Sequence, residues 1–93
     1  MTEKEIQKQI IDYLKQKGHI VFRMNSGKAQ NNIRLCPPGT PDLLVATRSG
    51  HVWVEVKTSS GKLREEQVNM IQRLSAFGDR VLVARSLEDV LCL

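Results

Sequence analysis

The chain has 93 residues, enough for a single domain with a small core, expected to span residues 1–93. Its 41% hydrophobic and 26% charged content excludes a disordered segment, and no apolar run approaches the ~20 residues of a membrane span. Fourteen Lys and Arg against ten Asp and Glu leave a formal charge of +4, a mild lean toward a polyanionic partner.

Thr2 and Glu5 have the spacing of a capping box, and behind them Ile6, Ile10, Tyr13 and Leu14 recur at helical period. A first helix is expected over roughly residues 3–17, with Gly18 as its stop. The charged start runs directly into that pattern, so no secretory signal is expected. His19 to Met24 is short and rich in β-formers, a strand. Asn25 to Thr40 holds two Gly and two Pro and shows no period, so it reads as a long loop. Asp42 to Ala46 is a nearly continuous apolar run, as in a buried strand. After a turn at Arg48-Ser49-Gly50, His51 to Lys57 alternates strictly, which predicts a third strand. A second breaker at Ser59-Ser60-Gly61 precedes a helical pattern carrying Leu63, Met70, Ile71, Leu74 and Phe77, closed by Gly78. Arg80 to Ala84 is a last buried strand, and Ser86 caps a final helical turn. The order predicts an α/β fold, a small mixed β-sheet flanked by helices. Strands two and three pair antiparallel, and strands three and four are joined by a parallel crossover.

The third strand is the most informative segment. Val52, Val54 and Val56 face one way, while His51, Trp53, Glu55 and Lys57 face the other. A polar, solvated outer face would account for that alternation. However, a hairpin with the preceding strand brings Asp42 against the Glu55 and Lys57 end. Two carboxylates and an ammonium then share one end of the sheet. Carboxylates that close repel each other unless a cation lies between them, and hard oxygen donors suit Mg²⁺ or Mn²⁺. The bland alternative for Asp42 is a turn residue.

Gly-Thr-Pro-Asp at 39–42 followed by Glu55-Val56-Lys57 resembles the signature of the PD-(D/E)xK nuclease superfamily. More narrowly, the chain resembles stand-alone VRR-NUC domains, the virus-type replication-repair nucleases, from the first helix to the fourth strand. The resemblance implies a restriction-endonuclease-like αβββαβ core and a catalytic set of Asp42, Glu55, Lys57 and Gln67. It also implies a divalent metal held by Asp42, Glu55 and the backbone carbonyl of Val56, and an acidic residue on the first helix near that metal. Glu3 takes this role because it shares a helical phase with Ile6 and Ile10, whereas Glu5 is occupied in the capping box. A first-turn acid favouring the helix dipole is the alternative. Gln67 interrupts the apolar stripe of the second helix and needs a polar partner; the site, where it would hold Lys57 or a water, is one candidate, and a local bond is the other. Arg64 stands where a small capping residue is expected, which leaves the start of that helix open.

Arg23, Ser26, Lys28 and Arg34 flank or occupy the long loop and are candidate contacts to DNA phosphates, which position a duplex without reading it. Lys4, Lys8 and Lys15 line one side of the first helix, a pattern more typical of a solvated face. Trp53 suits packing under a helix better than stacking on a base. His19 and His51 have no partner at metal-ligand spacing, and Cys36 and Cys92 form neither a Cys-x-x-Cys nor an adjacent His cluster. No zinc site or disulfide is therefore expected, and a reducing intracellular setting is. The reading is a Mg²⁺- or Mn²⁺-dependent endonuclease. By resemblance it cleaves branched DNA as Holliday-junction resolvases do, as a homodimer, in the cytoplasm of a bacterial or phage-infected cell. Flap or general nicking, and a non-catalytic DNA-binding module that keeps the fold, are the alternatives.

Overall fold

The computed structural model describes residues 1–24, 28–29, 33–34 and 36–93. Helix α1 (Glu3–Gln16) is started by the capping box: the Thr2 hydroxyl accepts from the Glu5 N–H at 3.2 Å, and the Glu5 carboxylate accepts from the Thr2 N–H at 2.9 Å. Strands β1 (Ile20–Arg23), β4 (Leu43–Thr47), β5 (Gly50–Val56) and β6 (Arg80–Ala84) form one sheet in the order β1-β4-β5-β6. Strand β4 runs antiparallel to both β1 and β5, whereas β5 and β6 are parallel, connected through helix α2 (Glu65–Ala76). A 3-10 turn, Leu87–Val90, closes the chain.

Two expectations need correction. The stretch from residue 25 to 40 is not all loop, because β2 (Lys28–Ala29) and β3 (Ile33–Arg34) pair antiparallel within it. Strands of two residues are too short to leave a periodic trace. Helix α2 also starts later than the apolar pattern suggested: Leu63 lies outside it and Arg64 is the N-cap. An arginine side chain has no oxygen to accept a backbone N–H, so only the reciprocal half of a capping box operates. Gln67 Oε1 accepts from the Arg64 N–H at 2.8 Å.

The alternation along the strands separates the sheet's faces. On one, Leu43, Val45, Val52, Val54, Val56 and Ala84 pack with Ile6, Ile10 and Leu14 of α1 and with Val90 in a single core. Ile10 and Leu14 are fully buried, and each such side chain contributes about 1.5–3 kcal/mol. The other face carries Phe22, Leu44, Trp53 and Val81 in register across all four strands. Glu55 projects from that same face, and α2 meets it there through Gln67, its one buried residue.

Candidate active site

The site forms where β4 and β5 meet the start of α2. Leu43 pairs with Val54, so the next step along the ladder sets Asp42 opposite Glu55. Asp42 is locked from three sides. Its carbonyl accepts from the Met24 N–H at 2.9 Å, its N–H donates to Glu55 Oε2 at 3.2 Å, and its Oδ2 accepts from the Val56 N–H at 2.8 Å. The loop ahead of it is equally fixed. Thr40 Oγ1 donates to the Pro37 carbonyl at 2.6 Å, and Pro41 is buried. Gly39 has φ of 84° and lies so near the first turn of α2 that any Cβ would run into the Glu66 carbonyl. This glycine lets the loop carrying Asp42 press directly on the helix carrying Gln67.

Glu55 is 2% exposed and fully engaged. Gln67 Nε2 donates to its Oε1 at 2.7 Å, and the Lys57 ammonium stands 3.9 Å from the same oxygen. Burial above all, and then the charge of Asp42, push the Glu55 carboxyl up to about 8, against the downward pull of Lys57. Lys57 is itself buried. A strand end thus holds two carboxyls and an ammonium, and desolvation opposes the ionisation of Glu55. A divalent cation relieves that opposition by favouring both carboxylates, so the donor chemistry fits one.

Asp42, Glu55, Lys57 and Gln67 therefore come together. Gln67 grips Glu55 rather than Lys57, because its Oε1 already accepts from the Arg64 N–H and its remaining Nε2 donor needs an acceptor, which the carboxylate is and an ammonium is not. Glu3 is exposed, as are Met1, Thr2, Lys4 and Glu5, so the side chain is not packed inward with Ile6 and Ile10 as helical phase implied. Among the described residues no three of His, Cys, Asp and Glu gather as a metal cage would need. Arg23 ends β1, paired with Leu43 beside Asp42. Ser26 lies outside the described residues, as do the side chains of Lys28 and Arg34. Lys8 is ion-paired with Asp12 at 3.1 Å, which interrupts the lysine row of α1. Trp53 is half-buried and donates its indole N–H to Asp79 Oδ2 at 3.0 Å. Backbone anchors escape a reading of side-chain patterns; the Val56 N–H that aims Asp42 is one.

The fold is that of a nuclease-type domain. The model of the VRR-NUC domain family matches residues 1–88, and the chain belongs to that family. A solved structure described as a VRR_NUC domain is similar over 97% of this chain and 91% of its own, at 26% identity and a TM-score of 0.75. No curated protein matches the sequence. Among the described residues no helix is long and apolar enough to cross a membrane.

Proposed function

We propose that the protein is a divalent-metal-dependent DNA endonuclease that cuts branched substrates, four-way junctions foremost. The observation that carries this reading is the convergence of Asp42, Glu55 and Lys57 at one sheet end, braced by Gln67. Asp42, Glu55 and the Val56 carbonyl would hold Mg²⁺ or Mn²⁺, with Glu3 supporting through water. Mg²⁺ commonly takes one or two carboxylates and fills its remaining positions with water and substrate phosphate. When bound, the ion supplies charge stabilisation at the phosphoryl oxygens and a more acidic water. Lys57 orients the attacking water and offsets the negative charge that grows on the phosphate. Gln67 keeps the Glu55 carboxylate aimed. Arg23, Ser26, Lys28 and Arg34 would contact the DNA backbone on the approach to Asp42.

The preference for junctions rests on the family resemblance, since symmetric nicking needs two sites in a homodimer. The apolar groups that α2 leaves uncovered support such a dimer: Phe77 is 75% and Val68 36% exposed. The test is cleavage of labelled four-way junction, flap and linear duplex DNA with Mg²⁺, Mn²⁺ or EDTA. Paired nicks at the junction are expected, abolished by EDTA and by Asp42→Asn. Full activity in Asp42→Asn would overturn the site. Cutting only flap or linear DNA would overturn the substrate. Tight binding without cleavage under any metal would make the protein a DNA-binding module.

A further inference from the structure

Lys57 stands one residue beyond the end of β5, where a strand ordinarily frays, yet it is only 7% exposed. Its backbone N–H donates to the Ala84 carbonyl at 3.0 Å, which extends the β5–β6 ladder to the lysine itself. The residue after Ala84 is Arg85, half-buried, whose Nη1 donates to the Thr58 and Gly61 carbonyls, each at 2.7 Å. Those two carbonyls bound the tight turn that follows Lys57, and the Gly61 N–H closes it onto the Thr58 carbonyl at 3.2 Å. The turn folds back on the lysine stem. A Cβ on Gly61 would stand 2.9 Å from Thr58 Oγ1 and, at ordinary contact distance, 3.6 Å from Lys57 Cδ, so the turn lies beside the lysine stem with a gap no wider than about one methyl group. Arg85 is anchored in turn, because its own N–H donates to Asp89 Oδ2 at 2.8 Å. A guanidinium suits this position: it stays charged, and one nitrogen can serve two carbonyls with charge-assisted bonds.

We propose that Arg85 is a positioning residue for the cleavage reaction, holding the Thr58–Gly61 turn against the Lys57 stem so that the ammonium stays on Glu55. The inference rests on the nuclease reading above. Arg85 touches neither Glu55 nor Asp42 through any hydrogen bond among the described residues; its influence passes through the turn and Lys57. A displacement of about 1 Å at a reacting group is enough to slow a reaction by up to about 100-fold.

The test is a double-mutant cycle on the intact chain, read as kcat and KM and, for the slow variants, as single-turnover rates. Arg85→Ala is expected to lower kcat by roughly 10- to 100-fold while KM stays nearly unchanged. In a Lys57→Ala background, adding Arg85→Ala is expected to cost almost nothing, since the group it positions is already gone. Arg85→Lys keeps the charge and reaches a single carbonyl, so an intermediate kcat is expected. It also carries the cycle if the alanine variant does not fold. Multiplicative losses in the cycle, a change confined to KM, or wild-type kinetics in Arg85→Ala would each overturn the proposal while leaving the nuclease reading intact. A wild-type protein that cuts no DNA under any divalent metal would remove both.

Discussion

The two faces of the sheet are built to different standards. Helix α1 places Ile6, Ile10 and Leu14 within a continuous aliphatic core, all at 5% exposure or less. On the other face, α2 buries only Gln67, and its Met70, Ile71 and Leu74 stay half-exposed. One layer is therefore a store of stability, and the other is a loosely seated cover whose best-packed side chain is polar and serves the site. A small domain cannot finish both faces with the apolar residues it has. The contrast teaches that the candidate chemistry sits on the less consolidated side, where the helix is seated by the close approach of Gly39 and the Gln67 hydrogen bond rather than by a buried apolar stripe.

The largest expected effect separates the two helices by stability. Ile10→Ala removes a fully buried side chain and is expected to cost about 2–5 kcal/mol in urea unfolding. Leu74→Ala, taken from a half-exposed position, is expected to cost about 1 kcal/mol. Equal losses would erase the difference between the layers.

The next effect is electrostatic and belongs to the Glu55 side alone. The Glu55 carboxyl binds its proton at about 8 in the fold, against a reference of 4.5 in the unfolded chain. Between those values the folded state holds more protons, so stability without metal falls as pH rises from about 4.5 to about 8, then levels off. The slope is at most about 1.4 kcal/mol per pH unit. Unfolding curves across that range should flatten in Glu55→Gln and keep their slope in Ile10→Val; Mg²⁺ should restore more stability at pH 8 than at pH 5. A slope unchanged in Glu55→Gln would place its origin elsewhere.

The smallest effect concerns the uncovered residues. Phe77→Ser is expected to leave unfolding stability within about 0.5 kcal/mol, because that ring is 75% exposed in the single chain. Sedimentation velocity should nonetheless show weaker self-association. A large loss of monomer stability would mean that Phe77 is part of the chain's own packing.

Much of this arrangement is readable in the residues before any coordinates. Strand β6 falls on the predicted Arg80–Ala84, and α1 ends within one residue of its expected limit, because long periodic segments announce themselves. Antiparallel pairing of β4 and β5 alone sets Asp42 against Glu55, so their meeting also follows from pattern and turn length. What pattern cannot carry is the placement of ends and angles. Helical phase put Glu3 with Ile6, yet says nothing of where along the helix the core begins, which is at Ile6. Gln67 shows a need for a partner without naming it, since Glu55 and Lys57 lie close together and the Arg64 cap bond, which takes up Gln67 Oε1, decides between them. Arg85 is invisible for a further reason: its partners are two main-chain carbonyls, which any residue supplies.

The contact between Gly39 and the Glu66 carbonyl divides the Gly-Thr-Pro-Asp segment into two kinds of requirement. Asp42 is demanded by chemistry, whereas Gly39 is demanded by clearance, as the notch of a key is by its ward. A chain that kept the carboxylate but gained a methyl group at the notch would hold every reactive group and lose the fit between its two halves. A search for working variants of this site should therefore treat the glycine as a spacing element whose tolerance is set by α2, and the aspartate as the group whose tolerance is set by the proposed metal chemistry.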